Sequence, residues 1–264
     1  MDRKVPFIKD EIYHLYTRGV EKRTVFYTEE EYVRFMLLLY LCNDTESPHL
    51  SVLLKRYQGE SLIQIFQKEK RARTLVDIIA YVLMPNHIHL IVHEKNRGGI
   101  SKFMLKLMTA YSMFFNTKYE RSGPLFTRPF RSRHVDSDEY FGWLFAYILL
   151  NPIELFDPKW KKSGILNNER ETGKFLRGYK FSSFPDYFVG ERAESRIIEK
   201  KSLPIEANEL KTMDDLLTIL ASGKNEYQGE SLIWCSAPDS PEIRERPEIK
   251  FVILAPFLKL RTIA

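Results

Sequence analysis

Apolar and polar residues alternate with a period of two near the start of the chain and then take the longer period of a helix. Residues 11–17 alternate and are rich in β-forming side chains, so they predict a first strand. Thr28 with Glu31 carries the signature of a helix N-terminus, and the apolar spacing that follows predicts a helix up to about residue 41. Residues 43–73 are more polar and predict an excursion from the core.

Two strands and a long helix are predicted in the middle of the chain. Residues 75–83 and 87–93 form apolar runs of strand length, and Pro85-Asn86 between them is typical of a turn. Residues 100–119 then place apolar side chains on one face of a predicted helix. A strand, a turn, a second strand and a helix therefore follow one another here.

The last elements of this predicted core are a short strand and a further helix. Residues 130–135 predict the strand, and Asp136 with Glu139 forms another N-terminal signature that opens the helix. Pro152 must end it at Asn151, because proline disfavours helical geometry in the residue before it. The order β-α-β-β-α-β-α predicts an α+β fold, a ferredoxin-like antiparallel sheet with an added C-terminal helix that carries Tyr147.

The pattern weakens after this helix. Residues 179–187 are rich in aromatic side chains and predict a segment that packs back on the domain, and residues 213–221 predict a short helix. We therefore divide the chain into a domain of residues 1–190 and a C-terminal extension, 191–264, with few assignable elements. The heptapeptide YQGESLI occurs twice, from Tyr57 and from Tyr227, and no physical role follows from its sequence.

Composition and charge narrow the class of protein. The chain has 264 residues, 44% of them hydrophobic, which predicts a globular protein with a sizeable core. No apolar run reaches the roughly 18 residues of a membrane span, so a cytoplasmic address without membrane partners is expected. Cys42 and Cys235 are too few for a disulfide framework or a cysteine-based metal motif.

The net charge is +5, and its basic residues are concentrated between residues 97 and 134, where Glu120 is the one acid. The basic residues of this stretch are Arg97, Lys102, Lys106, Lys118, Arg121, Arg128, Arg131 and Arg133. Such a concentration predicts a polyanionic partner, with an ordinary solvated basic face as the alternative.

Two pairs of residues carry candidate chemistry. His87 and His89 are two apart in a predicted strand, so both rings project from the same face and form half of a metal site. Tyr147 and Asn151 are four apart in a predicted helix and also share a face. Two imidazoles and an amide oxygen leave positions open on Mg²⁺ or Mn²⁺, which could polarise a phosphate beside the tyrosine. Taken alone, each pair is also compatible with an ordinary structural role.

At these residues the chain resembles the single-tyrosine HUH transposases, of the insertion-sequence-two-hundred and REP-associated kinds. The matching segments are YHLYTRG from Tyr13, MPNHIHL from Met84, RSGPLF from Arg121 with FRS from Phe130, and YILLNPI from Tyr147. They follow the family's order and cover roughly residues 8–190.

The resemblance implies a metal-dependent DNA strand transferase that nicks and rejoins single-stranded DNA through a 5′-phosphotyrosine link, without a nucleotide cofactor. It makes Tyr147 the nucleophile, His87 and His89 metal ligands, and Asn151 the third ligand or a polar group. The insertion-sequence branch commonly has Gln in that third position, so Asn151 points to the REP-associated branch.

The expected partner is single-stranded or hairpin DNA, and a homodimer is a further candidate assembly. By analogy with basic grooves that bind single strands, we expect arginines to contact phosphates and one phenylalanine to stack on bases. The arginines are Arg18, Arg121, Arg128, Arg131 and Arg133, and the phenylalanine is Phe126 or Phe130. Two alternatives remain at this stage, a non-catalytic DNA-hairpin-binding protein derived from a transposase and an RNA-binding domain of the same fold.

Overall fold

Four antiparallel strands form one sheet in the order β2-β3-β1-β4. The computed structural model describes residues 6–46, 48–127, 129–158, 160 and 168–223. The strands are β1 (Ile12–Arg18), β2 (Asp77–Met84), β3 (His87–His93) and β4 (Arg131–His134). This strand order is that of the ferredoxin-like arrangement, so the predicted fold class is confirmed.

The register of β1 decides which side chains share a face of the sheet. Tyr16 lies opposite His89 on β3 and opposite Arg131 on β4, and residues that are directly opposite point to the same side. One face therefore collects most of the chemistry-bearing side chains, and we call it the histidine face. Its members are His14, Tyr16, Arg18, His87, His89, Arg131 and Arg133.

Five helices belong to the predicted core or to the segment that interrupts it. They are α1 (Glu29–Cys42), α2 (Leu50–Arg56), α3 (Leu62–Lys68), α4 (Gly99–Lys118) and α5 (Asp138–Leu150). Later described helices are Ile153–Phe156, Glu169–Gly178, Phe184–Phe188 and Met213–Ser222. Single 3₁₀ turns lie at Val20–Lys22, Ala193–Ile197, Lys200–Ser202 and Glu206–Glu209.

The two faces of the sheet are covered by different helices. Tyr81 of β2 reaches from the apolar face to the sulfur of Met36 in α1, with 3.6 Å between Oη and Sδ. Helix α4 packs against α1 on this side. Helix α5 crosses the histidine face, and the helix Met213–Ser222 covers the outer side of α5 with Ile219 close to Gly142. As a result α5 is buried along almost its whole length.

The predicted start of α5 is wrong by one residue. Ser137, not Asp136, is the N-cap, and its hydroxyl accepts a hydrogen bond from the backbone N–H of Tyr140 at 3.2 Å. Helix α5 ends at Leu150 with Asn151 as its C-cap, one residue before the predicted end. However, Asn151 keeps helical dihedral angles of −52° and −39°, because the short turn Ile153–Phe156 continues the path after the proline.

The polar stretch 43–73 contains helices α2 and α3, and α3 packs against α1. Leu53, Ile65 and Phe66 from this stretch are fully buried. The first copy of YQGESLI makes the connection between α2 and α3, where Ser61 caps α3 by accepting from the backbone N–H of Gln64. The copy from Tyr227 lies outside the described residues.

Residues 179–187 pack along the outer edge of β2, as the aromatic pattern predicts. The backbone N–H of Leu83 donates to the carbonyl of Phe181 at 3.0 Å, and Ser183 donates to Tyr81 at 2.9 Å. The hydroxyl of Tyr179 adds a bond to the carbonyl of Leu83 at 2.6 Å. An edge strand presents unpaired backbone groups, and this segment satisfies those of β2.

The described part of the C-terminal extension contacts the helix Phe184–Phe188 and helix α3. Arg192 forms a two-pronged ion pair with Asp186, in which both N···O distances are 2.8 Å. Arg196 donates to the carbonyl of Phe66 in α3 at 2.8 Å. The division of the chain at residue 190 stays a prediction. Within the described ranges, no helix is both long and apolar enough to cross a membrane.

Replacing Arg192 with alanine is expected to lower the free energy of unfolding by roughly 3–5 kcal/mol, because the fully buried carboxylate of Asp186 loses its charged partner. Urea unfolding followed by circular dichroism measures this difference. Lys174→Ala removes a solvent-exposed ion pair with Glu171 and should stay within about 0.5 kcal/mol of the unmutated protein. Equal stability of the two variants would contradict the structural role of Arg192.

Candidate active site

The two predicted histidines meet on the histidine face of β3, and both are buried. Their ring centroids are 5.2 Å apart and their planes are perpendicular. His87 Nδ1 lies 2.6 Å from Oδ1 of Asn86, whose Nδ2 donates to the carbonyl of Lys22 at 3.3 Å. That second bond orients the amide so that its oxygen faces the ring. His87 therefore carries its proton on Nδ1, which leaves the lone pair on Nε2.

A third histidine, which the sequence argument does not assign to the site, lies beside this pair. His14 of β1 is fully buried, and its Nε2 is 2.8 Å from Nδ1 of His89. The two rings stack with 5.0 Å between centroids. Burial and, to a smaller extent, the nearby charge of Arg133 lower the pKa of His14 to about 3. The alternation of β1 carries a signal for His14, but only the register with β3 brings it to His89.

Helix α5 brings Tyr147 to the histidines of the same chain. The Tyr147 ring stands edge-on to His89, with 5.5 Å between centroids. Trp143, one turn earlier, stacks nearly parallel to it with 5.3 Å between centroids. The phenol is buried, with 2% of its surface exposed. The predicted nucleophile and the predicted ligands thus share one site.

Asn151 follows Tyr147 by one helical turn and is fully buried. Among the described residues, neither its amide oxygen nor its amide nitrogen has a hydrogen-bond partner. A buried amide without a partner costs about 1–3 kcal/mol, and a catalytic role or a bound water or ion is among the reasons for which such a group is retained.

The donor chemistry at this point fits a divalent cation. The described residues contain no cluster of three or more His, Cys, Asp or Glu side chains arranged to hold a metal. A cation here would instead be held by the imidazoles of His87 and His89 and by the unpartnered amide of Asn151. Such a mixed nitrogen and oxygen set leaves coordination positions for other ligands.

Basic side chains border the histidines. Arg18 and Arg131 line the same small cavity, of about 10 Å³, as His87 and His89. Arg131 and Arg133 are exposed on the edge strand β4. The outer end of this site is therefore positively charged, whereas the imidazoles, the phenol and the amide of Asn151 are buried.

Arg133 also covers the base of α5. Its guanidinium lies 4.3 Å above the ring centroid of Tyr140, a cation–π contact. Burial raises the pKa of the Tyr140 phenol to about 12. Tyr140 is therefore a neutral aromatic support between the charged edge strand and the tyrosine helix.

The structure does not bring every predicted DNA-contacting residue to this place. Arg121 lies after the end of α4 and donates to Oδ1 of Asn116 at 2.6 Å. Arg128 lies outside the described residues. Phe126 is buried in the core against Tyr111, so its ring has no exposed face for a base. Base stacking stays a prediction for Phe130, which is half-buried and pairs with Phe7.

Residues 51–149 match the sequence model of the family described as "Transposase IS200 like". The matched segment contains His87, His89 and Tyr147 and ends two residues before Asn151. No curated protein sequence matches this chain. A solved structure of the REP-associated tyrosine transposase bound to a REP hairpin aligns with 13% identity over 71% of this chain and 84% of that chain, with a TM-score of 0.39. Through the segment that carries its histidines and its tyrosine, the chain resembles the IS200-like transposases, as its motifs predict.

Proposed function

We propose that the protein is a transposase-like strand transferase acting on single-stranded DNA. The observation that carries this proposal is the contact between Tyr147 and His89, which joins a nucleophile to a pair of ligating imidazoles within one chain. In the reaction, the phenol oxygen of Tyr147 forms a bond to phosphorus and the bond from phosphorus to the 3′ oxygen breaks. The tyrosine proton leaves and the 3′ oxygen gains one, so the products are a 5′-phosphotyrosine link and a 3′-hydroxyl.

The free energy of the broken phosphodiester bond is conserved in the new phosphotyrosine bond. A 3′-hydroxyl can attack the phosphotyrosine link and restore a phosphodiester, so rejoining needs no nucleotide cofactor. A phenol with a pKa near 10 is a weak nucleophile until the phosphate is held and polarised against it. Positioning is therefore the main contribution of the chain.

His87, His89 and Asn151 would hold the ion, Mg²⁺ or Mn²⁺. When bound, the ion supplies charge that polarises a non-bridging oxygen of the phosphate. The two imidazoles would come from one strand, and the amide oxygen of Asn151 would come from the end of α5. Because Tyr147 lies one turn before Asn151 on α5, binding of the ion would also fix the position of Tyr147 relative to the histidines on the sheet.

The DNA would approach along the basic edge of the sheet. Arg131 and Arg133 are exposed there, and the buried Arg18 lines the same cavity as Arg131 and the two histidines. Phosphate contacts of this kind give affinity without reading sequence. Because Tyr147 and both histidines are buried, entry of a phosphate requires a local opening of the layer over the histidine face.

Tyr147→Phe is expected to abolish a covalent protein–DNA adduct and to leave DNA binding unchanged, since only the attacking oxygen is lost. The assay incubates protein and Mn²⁺ with a labelled single strand that carries a hairpin, then separates the products on a denaturing gel. Tyr57→Phe, on the connection between α2 and α3, is the matched control and should form the adduct. If the unmutated protein binds hairpins but forms no adduct, the protein is a non-catalytic hairpin binder and the proposal fails.

Asn151→Leu is expected to weaken metal binding without lowering the stability of the fold. Removing an unpartnered buried amide should leave the free energy of unfolding unchanged or raise it, because an unsatisfied polar group is lost. The same change should weaken Mn²⁺ binding by about tenfold or more, the effect expected for a lost ligand or its support. Electron paramagnetic resonance of free Mn²⁺ gives the affinity. Unchanged Mn²⁺ affinity would remove Asn151 from the ligand set.

Arg131→Ala should weaken binding of single-stranded DNA similarly for all sequences. It should also reduce the slope of log K against log salt by roughly 0.7, the value for one phosphate contact on a single strand. Fluorescence anisotropy at several salt concentrations measures the slope. Arg170→Ala, exposed on the helix Glu169–Gly178, is the control and should not change it. An unchanged slope for Arg131→Ala would place the DNA elsewhere.

A further inference from the structure

We infer that a strained turn after β1 positions the metal ligand His87. The turn carries two consecutive left-handed residues, Glu21 and Lys22, and the backbone carbonyl of Lys22 reaches the site through the amide of Asn86. The affinity of His87 for a metal therefore depends on the backbone conformation of two residues whose own side chains are exposed. The inference rests on the proposed function only in the identity of His87 as a ligand.

Two contacts connect the turn to the ligand. The carbonyl oxygen of Lys22 lies 3.3 Å from Nδ2 of Asn86, and Oδ1 of the same amide lies 2.6 Å from Nδ1 of His87. Because a backbone carbonyl can only accept, rotating the amide by half a turn would set two oxygens against each other. The position of the Lys22 carbonyl therefore decides that Asn86 presents its oxygen to the ring. Nδ1 of His87 must donate to that oxygen, which fixes both the orientation and the tautomer of the ring.

The left-handed conformation places the carbonyl of Lys22 at this position. The angle φ is 57° at Glu21 and 61° at Lys22, in a region that is unfavourable for residues with a Cβ. The turn is also too tight for a side chain at Gly19, where a Cβ would lie 2.3 Å from the carbonyl oxygen of Arg23. Strained conformations of this kind persist only where surrounding contacts impose them, and they are frequent at functional sites.

Backbone hydrogen bonds on both sides of Lys22 hold the strained turn against the connection between β2 and β3. Before it, the N–H of Gly19 donates to the carbonyl of Asn86 at 2.8 Å, and after it the N–H of Val25 donates to the carbonyl of Pro85 at 2.7 Å. Within the turn, the N–H of Lys22 donates to the carbonyl of Gly19 at 3.0 Å. The main chain therefore fixes the carbonyl of Lys22 relative to Asn86, and the exposed Lys22 side chain takes no part in these bonds.

Substitutions at position 22 test the backbone conformation directly. Proline cannot adopt a φ of 61°, so Lys22→Pro must move the carbonyl, whereas Lys22→Gly keeps this angle without steric cost. Glu120→Pro is the matched control, because Glu120 is also exposed and left-handed, with a φ of 47°. Its N–H also donates within its own turn, to the carbonyl of Thr117 at 3.4 Å. Asn86→Leu removes the connecting amide and keeps a side chain of similar size.

The first experiment measures the tautomer of His87. Nitrogen-15 NMR of the metal-free, histidine-labelled full chain, at a pH where the ring is neutral, reports which ring nitrogen carries the proton, and His87→Gln assigns the signal. We expect the proton on Nδ1 in the unmutated protein, in Lys22→Gly and in Glu120→Pro. In Lys22→Pro and Asn86→Leu the ring should become a mixture of tautomers. A proton on Nε2 in the unmutated protein would overturn the inference, even if no variant folds.

The second experiment measures the affinity for Mn²⁺ alone, without DNA. Lys22→Pro and Asn86→Leu should each weaken it by about 10–100-fold, the range for lost partners of ligating histidines. Lys22→Gly and Glu120→Pro should bind Mn²⁺ as the unmutated protein does. A merely structural turn predicts instead that the two proline variants lose thermal stability to a similar extent and keep the same affinity. If folded Lys22→Pro and Asn86→Leu bind Mn²⁺ as tightly as the unmutated protein, the positioning role is wrong.

The outcomes also separate this inference from the proposed function, because neither experiment contains DNA. If the tautomer and Mn²⁺ results are as expected but no DNA adduct forms, the strand-transferase proposal fails and the role of the strained turn stands. If the adduct forms and requires Tyr147 but the proton of His87 lies on Nε2, the proposed function stands and the role of the turn fails.

Discussion

The antiparallel register of β1 against β3 is the constraint on which the site depends. It sets Tyr16 opposite His89 and so brings His14 within hydrogen-bond distance of that ring. A slip of one residue would turn Tyr13 and Leu15 toward the histidines and bury His14 in the apolar layer under α1 and α4. The apolar side chains of the other face prevent this slip, since they would have to leave the core. The packing of the apolar face therefore fixes the strand register, and with it the arrangement of side chains on the histidine face.

The second constraint is that α5 is covered on two opposite sides. This helix lies between the histidine face and the helix Met213–Ser222, so it has almost no solvent-facing side. A helix that is apolar all round is stable only when it is covered on all sides. The helix Met213–Ser222 therefore contributes to the position of Tyr147 through its packing on α5. Trp143 completes the support by stacking on the tyrosine ring.

Charge and burial are separated across the site. The imidazoles and the phenol are buried, whereas Arg131 and Arg133 lie exposed on the short edge strand. Nδ1 of His87 is held by Asn86, which fixes the orientation of that ring. Neither amide atom of Asn151 has a partner among the described residues. The combination of oriented rings, an unsatisfied amide and an exposed basic edge is suited to an ion and a phosphate more than to stability alone.

The sequence by itself determined the features that depend on local periodicity. The bounds of β3, the shared face of His87 and His89, and the spacing of Tyr147 and Asn151 follow from side-chain periods of 2 and 3.6, which act within a few residues. Only the tertiary structure decided which elements cover one another. His14 joins His89, Phe126 leaves the predicted DNA surface for the core, and the stretch 43–73 packs on α1, because each depends on contacts between residues far apart in the chain. Periodicity predicts which face of a strand or helix carries a side chain, but strand register and helix packing decide which residues that face contacts.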